Sequence, residues 1–183
     1  MGFISTGIEG LMIFEPKIFE DPRGYFFESF NKAVFEGEGI SCDFVQDNQS
    51  RSSYGVVRGL HYQLNPHAQT KLVRVLSGRI LDVVVDIRKS SATFGKVFSV
   101  ELSSENKRQL YIPKGFAHGF SVLSETAEVL YKCDALYNKA SEGGILFNDP
   151  ELNIDWQIPV DKQLISDKDR GNPSFREHRS NFE

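Results

Sequence analysis

Two of the four histidines and one lysine have the types and spacing to build a proton-transfer site. His61 lies in V-R-G-L-H-Y-Q from Val57, Lys71 opens K-L-V-R-V ten residues later, and His118 ends P-K-G-F-A-H from Pro113. An imidazole titrates near neutrality and can serve as a base. A lysine ammonium is a fixed cation that can steady an oxyanion as it develops. Taken singly, each has a plainer use: His61 as a hydrogen-bonded structural histidine, His118 as a packing residue after a Pro-Gly turn, Lys71 snorkelling to a barrel rim. The set of three points to proton transfer beside a developing oxyanion.

These residues need strands to hold them. Period-2 alternation over Val57 to Leu64 puts His61 and Gln63 on one face and Arg58, Leu60 and Tyr62 on the other. Lys71 to Leu76 follows with Lys71, Val73 and Val75 together, and Ser77-Gly78 turns it back. Arg79 to Ile87 sets Leu81, Val83, Val85 and Ile87 opposite Asp82 and Asp86. Further strands are expected at Leu11–Phe19, Tyr25–Phe30, Val97–Ser103, Leu110–Ile112, Phe116–Leu123 and Ala127–Cys133. Asp21-Pro22-Arg23-Gly24 reads as a turn. Asn31 caps a short helix to about Gly37. Asp43 to Arg51 is polar for a strand, so it is a loop or a strand facing a wet cavity, and the cavity is favoured. Beyond Trp156 the chain turns polar, and 166–171 reads as a loop or frayed helical turn. Short strands and regular turn signals predict an all-β fold, an antiparallel barrel or jelly roll with an interior that can enclose a ligand.

Bulk properties narrow the function classes. A chain of 183 residues with 40% hydrophobic and 12% aromatic content fits one domain over 1–183. The net charge of -4 argues against nucleic acid as the partner. No apolar run approaches the ~20 residues of a membrane span, and the N-terminus lacks a signal pattern, so the expected address is the cytoplasm. Cys42 and Cys133 could pair, but buried free thiols suit that compartment better.

The two central segments resemble the two signatures of the cupin superfamily, double-stranded β-helix (jelly-roll) barrels that often hold a metal. Pro113, Gly115 and His118 match the second signature, P-x-G-x-x-H. In the first, Gln63 stands where a second histidine would be, and Lys71 where a glutamate would be. A protonated lysine has no lone pair and repels a divalent ion, so no metal is expected.

Over almost its whole length the sequence resembles the dTDP-4-dehydrorhamnose 3,5-epimerases. The blocks are F-E-D-P-R-G-Y-F-F-E-S-F from Phe19, F-V-Q-D-N-Q-S from Phe44, V-R-G-L-H-Y-Q, K-L-V-R-V, V-D-I-R-K-S-S-A-T-F-G from Val85, N-K-R-Q-L-Y-I-P-K-G-F-A-H-G-F from Asn106, L-Y-K-C from Leu130 and I-S-D-K-D from Ile165. The resemblance implies His61 as general base, Asp169 as the carboxylate orienting it, Tyr131 as general acid and Lys71 as the enolate stabiliser. Spacing alone leaves Tyr131 a core tyrosine and does not separate Asp169 from Asp167. Arg23, Glu28, Gln46, Asn48, Arg58, His118, Tyr137 and Lys168 fall on positions for substrate, nucleotide or pyrophosphate. A cupin barrel with a few short helices near its termini is implied, as is a homodimer exchanging N-terminal strands, so that Arg23 and Glu28 serve the partner's site. The implied activity is cofactor-free epimerisation at carbons 3 and 5 of a dTDP-4-keto-6-deoxy sugar in dTDP-L-rhamnose synthesis. Alternatives are a single-carbon epimerase on a related nucleotide sugar, a silent sugar-nucleotide-binding cupin, and a metallo-cupin.

Overall fold

Alternating apolar positions fold into fourteen strands in the computed structural model, which describes residues 2–41 and 43–183. Cys42 lies outside the described residues; Cys133 is a buried free thiol. The strands are β1 (Gly2–Ser5), β2 (Met12–Glu15), β3 (Phe19–Asp21), β4 (Gly24–Phe26), β5 (Gln46–Ser53), β6 (Val56–Gln63), β7 (Lys71–Ser77) and β8 (Arg79–Asp86). They continue with β9 (Val97–Ser103), β10 (Gln109–Ile112), β11 (Phe116–Val122), β12 (Thr126–Cys133), β13 (Glu142–Gly144) and β14 (Leu164–Ile165). Helix α1 (Lys32–Gly37) follows β4, and α2 (Asp167–Arg170) follows β14. No described helix is long and apolar enough to cross a membrane.

Two sheets form the jelly-roll barrel. The first runs β1-β2-β10-β7-β12-β5 and the second β13-β6-β11-β8-β9, with β14 added in parallel to β6. Between the sheets, Val73, Val75, Leu110 and Ile112 meet Ile80, Val84, Phe120 and Val122. Side chains of opposite parity on β8, Leu81, Val83 and Val85, pack with Ile87, Trp156, Phe175 and Phe182. Strand β8 is therefore buried on both faces, which is why its sequence is apolar almost throughout. A third cluster of Phe14, Phe35, Leu72 and Tyr111 seats α1 against the first sheet. Asn31 caps that helix, its side chain accepting from the Ala33 amide at 3.1 Å.

The departures from expectation have local causes. The stretch Leu11–Phe19 is two strands, because Pro16 follows β2 directly and has no N–H for a ladder. The expected strand Tyr25–Phe30 shortens to β4, which pairs only with β3. The polar tail after Trp156 carries Phe175 and Phe182 back into the core, and isolated aromatics in polar sequence give no periodic signal. Residues 46–53 are a strand, and alternate side chains of β5, Asn48 and Ser50 among them, line a cavity.

Candidate active site

The cavity opens at one end of the barrel and holds about 300 Å³. His61, His118, Arg58 and Gln63 enter it from the second sheet, and Lys71, Tyr131 and Asn48 from the first. Strict alternation would put Arg58 and His61 on opposite faces. In the ladder, however, His118 pairs with His61 and Phe120 with Arg58, so two steps on β11 match three on β6. This bulge carries Arg58 round to the cavity. It sits at Gly59, whose φ is +132°, and a Cβ there would fall 2.5 Å from the Gly119 Cα. Only glycine fits.

His61 Nε2 lies 2.5 Å from Asp169 Oδ1, and the second carboxylate oxygen accepts from the Gly59 amide at 3.3 Å. Ser166 caps α2 by accepting from the Asp169 amide at 3.1 Å. Burial of Asp169 works to raise its pKa, but the hydrogen bond and charge of His61, with Gly59 and Ser166, outweigh it and hold the carboxyl below its usual range. Asp167, one helical position pair away, is exposed. The structure thus brings the Asp169 of I-S-D-K-D, and not Asp167, to His61.

His118 points Nε2 at both oxygens of Asp82, each 3.0 Å away. Burial lowers its pKa, as do Lys71 and His61, against the opposing pull of Asp82. Lys71 Nζ stands 5.7 Å from the centre of the Tyr131 ring. Burial also lowers the Lys71 pKa, while Cys133 and Asp82 favour its charged form. The Tyr131 phenol is pushed up by burial and by Cys133, with Arg58 opposing. Among the described residues no three His, Cys, Asp or Glu side chains converge to hold a metal ion.

At the mouth, Lys168 pairs with Glu142, and the Tyr137 hydroxyl donates to the same carboxylate at 3.3 Å. Burial would raise the Glu142 pKa, but Lys168, His61 and Tyr137 bring it below its ordinary value. Glu142 and Asp82 both escaped the candidate set. For Asp82 a signal existed, an acid interrupting the most apolar strand; Glu142 sits on a three-residue strand with no pattern. Arg58 Nε donates to Ser52 at 3.1 Å. Gln46 does not line the cavity: its Nε2 donates to Asn48 and its Oε1 accepts from the Tyr137 amide, each at 3.0 Å. Arg23 and Glu28 are not brought to this cavity either. Arg23 is exposed at the β3–β4 turn and paired with Asp21, and Glu28 accepts from Asn31.

Comparison with known proteins follows the same outline. The sequence profile described as dTDP-4-dehydrorhamnose 3,5-epimerase matches residues 5–177. A Shigella flexneri protein of that name is 57% identical over 176 residues, covering 96% of both chains. The crystal structure of dTDP-4-dehydrorhamnose 3,5-epimerase from Elizabethkingia anophelis superposes with a TM-score of 0.93 at 54% identity, over 97% of each chain. A Legionella pneumophila dTDP-6-deoxy-D-glucose-3,5-epimerase, solved in complex with dTDP-4-keto-L-rhamnose, gives 0.92 at 50% identity, covering 96% of this chain and 93% of that one. With a profile match over nearly the whole chain and relatives above half identity, this protein belongs to the dTDP-4-dehydrorhamnose 3,5-epimerase family of isomerases.

Proposed function

We propose that the chain inverts carbons 3 and 5 of dTDP-4-dehydro-6-deoxy-D-glucose to give dTDP-4-dehydro-L-rhamnose, acting in the cytoplasm in dTDP-L-rhamnose synthesis. The observation that carries this is the origin of the groups: the His61–Asp169 pair comes from one side of the cavity, and Tyr131 with Lys71 from the facing sheet. Inversion requires a proton to leave one face of a carbon and another to arrive on the opposite face.

The 4-keto group acidifies the hydrogens on both neighbouring carbons. His61 takes one, and ionised Asp169 steadies the imidazolium. The electron pair moves to the ketone oxygen as an enolate beside the Lys71 ammonium. Tyr131, kept protonated by its raised pKa, returns a proton from the far side. Solvent then takes the proton from His61 and restores that of Tyr131, and the second carbon follows. These steps draw on no redox cofactor. Arg58, Asn48, His118, Tyr137 and Lys168 serve the sugar, nucleotide or pyrophosphate, and Gln46 acts through the Asn48 and Tyr137 that it holds.

The working unit is a homodimer with exchanged N-terminal strands, in which Arg23 and Glu28 reach the neighbouring site. The β3–β4 hairpin supports this, leaving Phe19, Tyr25 and Phe26 more than half exposed. Mixing His61→Ala and Arg23→Ala chains tests it. Mixed dimers recover one good site in two, so activity returns to about a quarter of wild type; no recovery would confine Arg23 to its own chain.

Incubation of the dTDP-4-keto sugar in heavy water, with the label located by NMR, tests the reaction. Deuterium at both carbons is expected. Label at one carbon makes the chain a single-carbon epimerase, and tight binding without exchange makes it a silent binding module.

A further inference from the structure

Gln63 occupies the place of a cupin metal ligand and lines the cavity two residues from His61, yet its polar atoms are already engaged. It is 6% exposed. Its Oε1 accepts from the Asn138 amide at 2.7 Å, and its Nε2 donates to the His67 carbonyl at 3.0 Å. The next amide back, that of Tyr137, is held by Gln46 Oε1 at 3.0 Å. Two consecutive amides are therefore captured by glutamine carbonyls from β5 and β6, strands of different sheets.

Tyr137 needs such fixing. It lies between β12 and β13, in a stretch whose only regular structure is a short 3-10 turn over Lys139–Ser141. Tyr137 is 53% exposed, so packing does not set the direction of its ring. Its hydroxyl reaches Glu142, and Glu142 is itself paired in register with Gln63. The Leu64 amide also donates to the Ser141 carbonyl at 2.7 Å. The end of β6 thus holds 137–142 at two points, by the Gln63 side chain at Asn138 and by the Leu64 amide at Ser141.

We infer that Gln63 is a positioning residue for substrate binding: it fixes the Tyr137 segment across the cavity mouth and acts on the substrate only through Tyr137. It rests on the nucleotide-facing role assigned to Tyr137 above. The chemistry of the side chain fits the task. A planar amide offers an acceptor and a donor at its two ends, and so joins the 137–142 segment to the 64–69 loop. Methionine fills the same space with neither group. Glutamate lacks the donor for His67.

The test is a kinetic cycle on the full chain with the dTDP-4-keto sugar. Gln63→Met is expected to raise KM about tenfold while kcat changes less than about threefold. Tyr137→Ala is expected to raise KM at least as much. In the double variant Gln63→Met should add nothing to Tyr137→Ala; full additivity overturns the inference, because Gln63 would then touch the substrate directly or act by general loosening. Chymotrypsin gives a second measurement, independent of substrate. Cleavage between Tyr137 and Asn138, identified by fragment mass, should be about tenfold faster in folded Gln63→Met. Unchanged cleavage overturns the holding role. If Tyr137→Ala leaves KM unaltered, the nucleotide role of Tyr137 falls, and cleavage still decides whether Gln63 holds the segment. Should Gln63→Met fail to fold, Gln63→Ser, which leaves space for water to satisfy the freed groups, replaces it in both measurements.

Discussion

His61 and His118 are paired across β6 and β11, and each meets an aspartate through Nε2. The resemblance ends there. Asp169 arrives from α2, 108 residues along the chain, and gives His61 one oxygen while the other holds the Gly59 amide. Asp82 comes from the adjacent strand β8 and offers both oxygens at equal distance. The His61 side chain keeps 34% of its surface exposed, and that of His118 only 7%. A base must reach its substrate and trade its proton with solvent between turnovers, which requires exposure. A buried imidazole beside Lys71 has its charged form disfavoured, and its aspartate serves the neighbouring ammonium as well. On the proposed mechanism the first pair moves protons and the second sets the field in which they move.

The widest gap between the two pairs should appear on deletion. His61→Ala is expected to lower deuterium exchange at both carbons by about 100- to 10,000-fold. His118→Gln should cost about tenfold or less, since it removes neither base nor acid. Equal losses would erase the distinction between the pairs. Lys71→Met comes next, with an expected fall in kcat of about 100- to 1,000-fold from the loss of one oxyanion partner. Tyr131→Phe should separate two readouts: epimerisation falls about 100-fold, and washout of substrate hydrogen falls far less, because His61 still removes the proton. Complete and equal loss of both would contradict Tyr131 as the acid.

Which of these residues the sequence discloses depends on how local their cause is. Lys71, Val73 and Val75 share a face by simple alternation, and β7, β8, β9 and β12 appear close to their expected limits. Arg58 shares the cavity with His61 only through the bulge at Gly59, and that depends on the close approach of Gly119 from another strand. Asp169 and Asp167 are alike by spacing; family resemblance singled out the former, and burial against β6 is what distinguishes it physically. Glu142 reaches the mouth through its register with Gln63, a pairing nearly eighty residues apart that no local pattern encodes. Phe175 and Phe182 enter the core from polar surroundings for the same reason: the β8 face they cover belongs to a distant segment.

The smallest expected effect concerns stability rather than rate, and it separates the pairs by pH. His118 has a folded pKa below its unfolded value of 6.5. As pH falls from 6.5 toward the folded value, the unfolded chain takes up a proton that the folded chain refuses, so stability drops; below the folded value the loss levels off. Asp169 has a folded pKa below its unfolded 3.8, so its contribution is intact above that value and is lost only as pH falls further. Urea denaturation in steps from pH 7.5 to 5 should therefore show a decline in wild type that is shallower in His118→Gln and unchanged in Asp169→Asn. A decline equally steep in His118→Gln would mean that His118 is not the group resisting its proton, and that its burial beside Lys71 does not set it apart from His61.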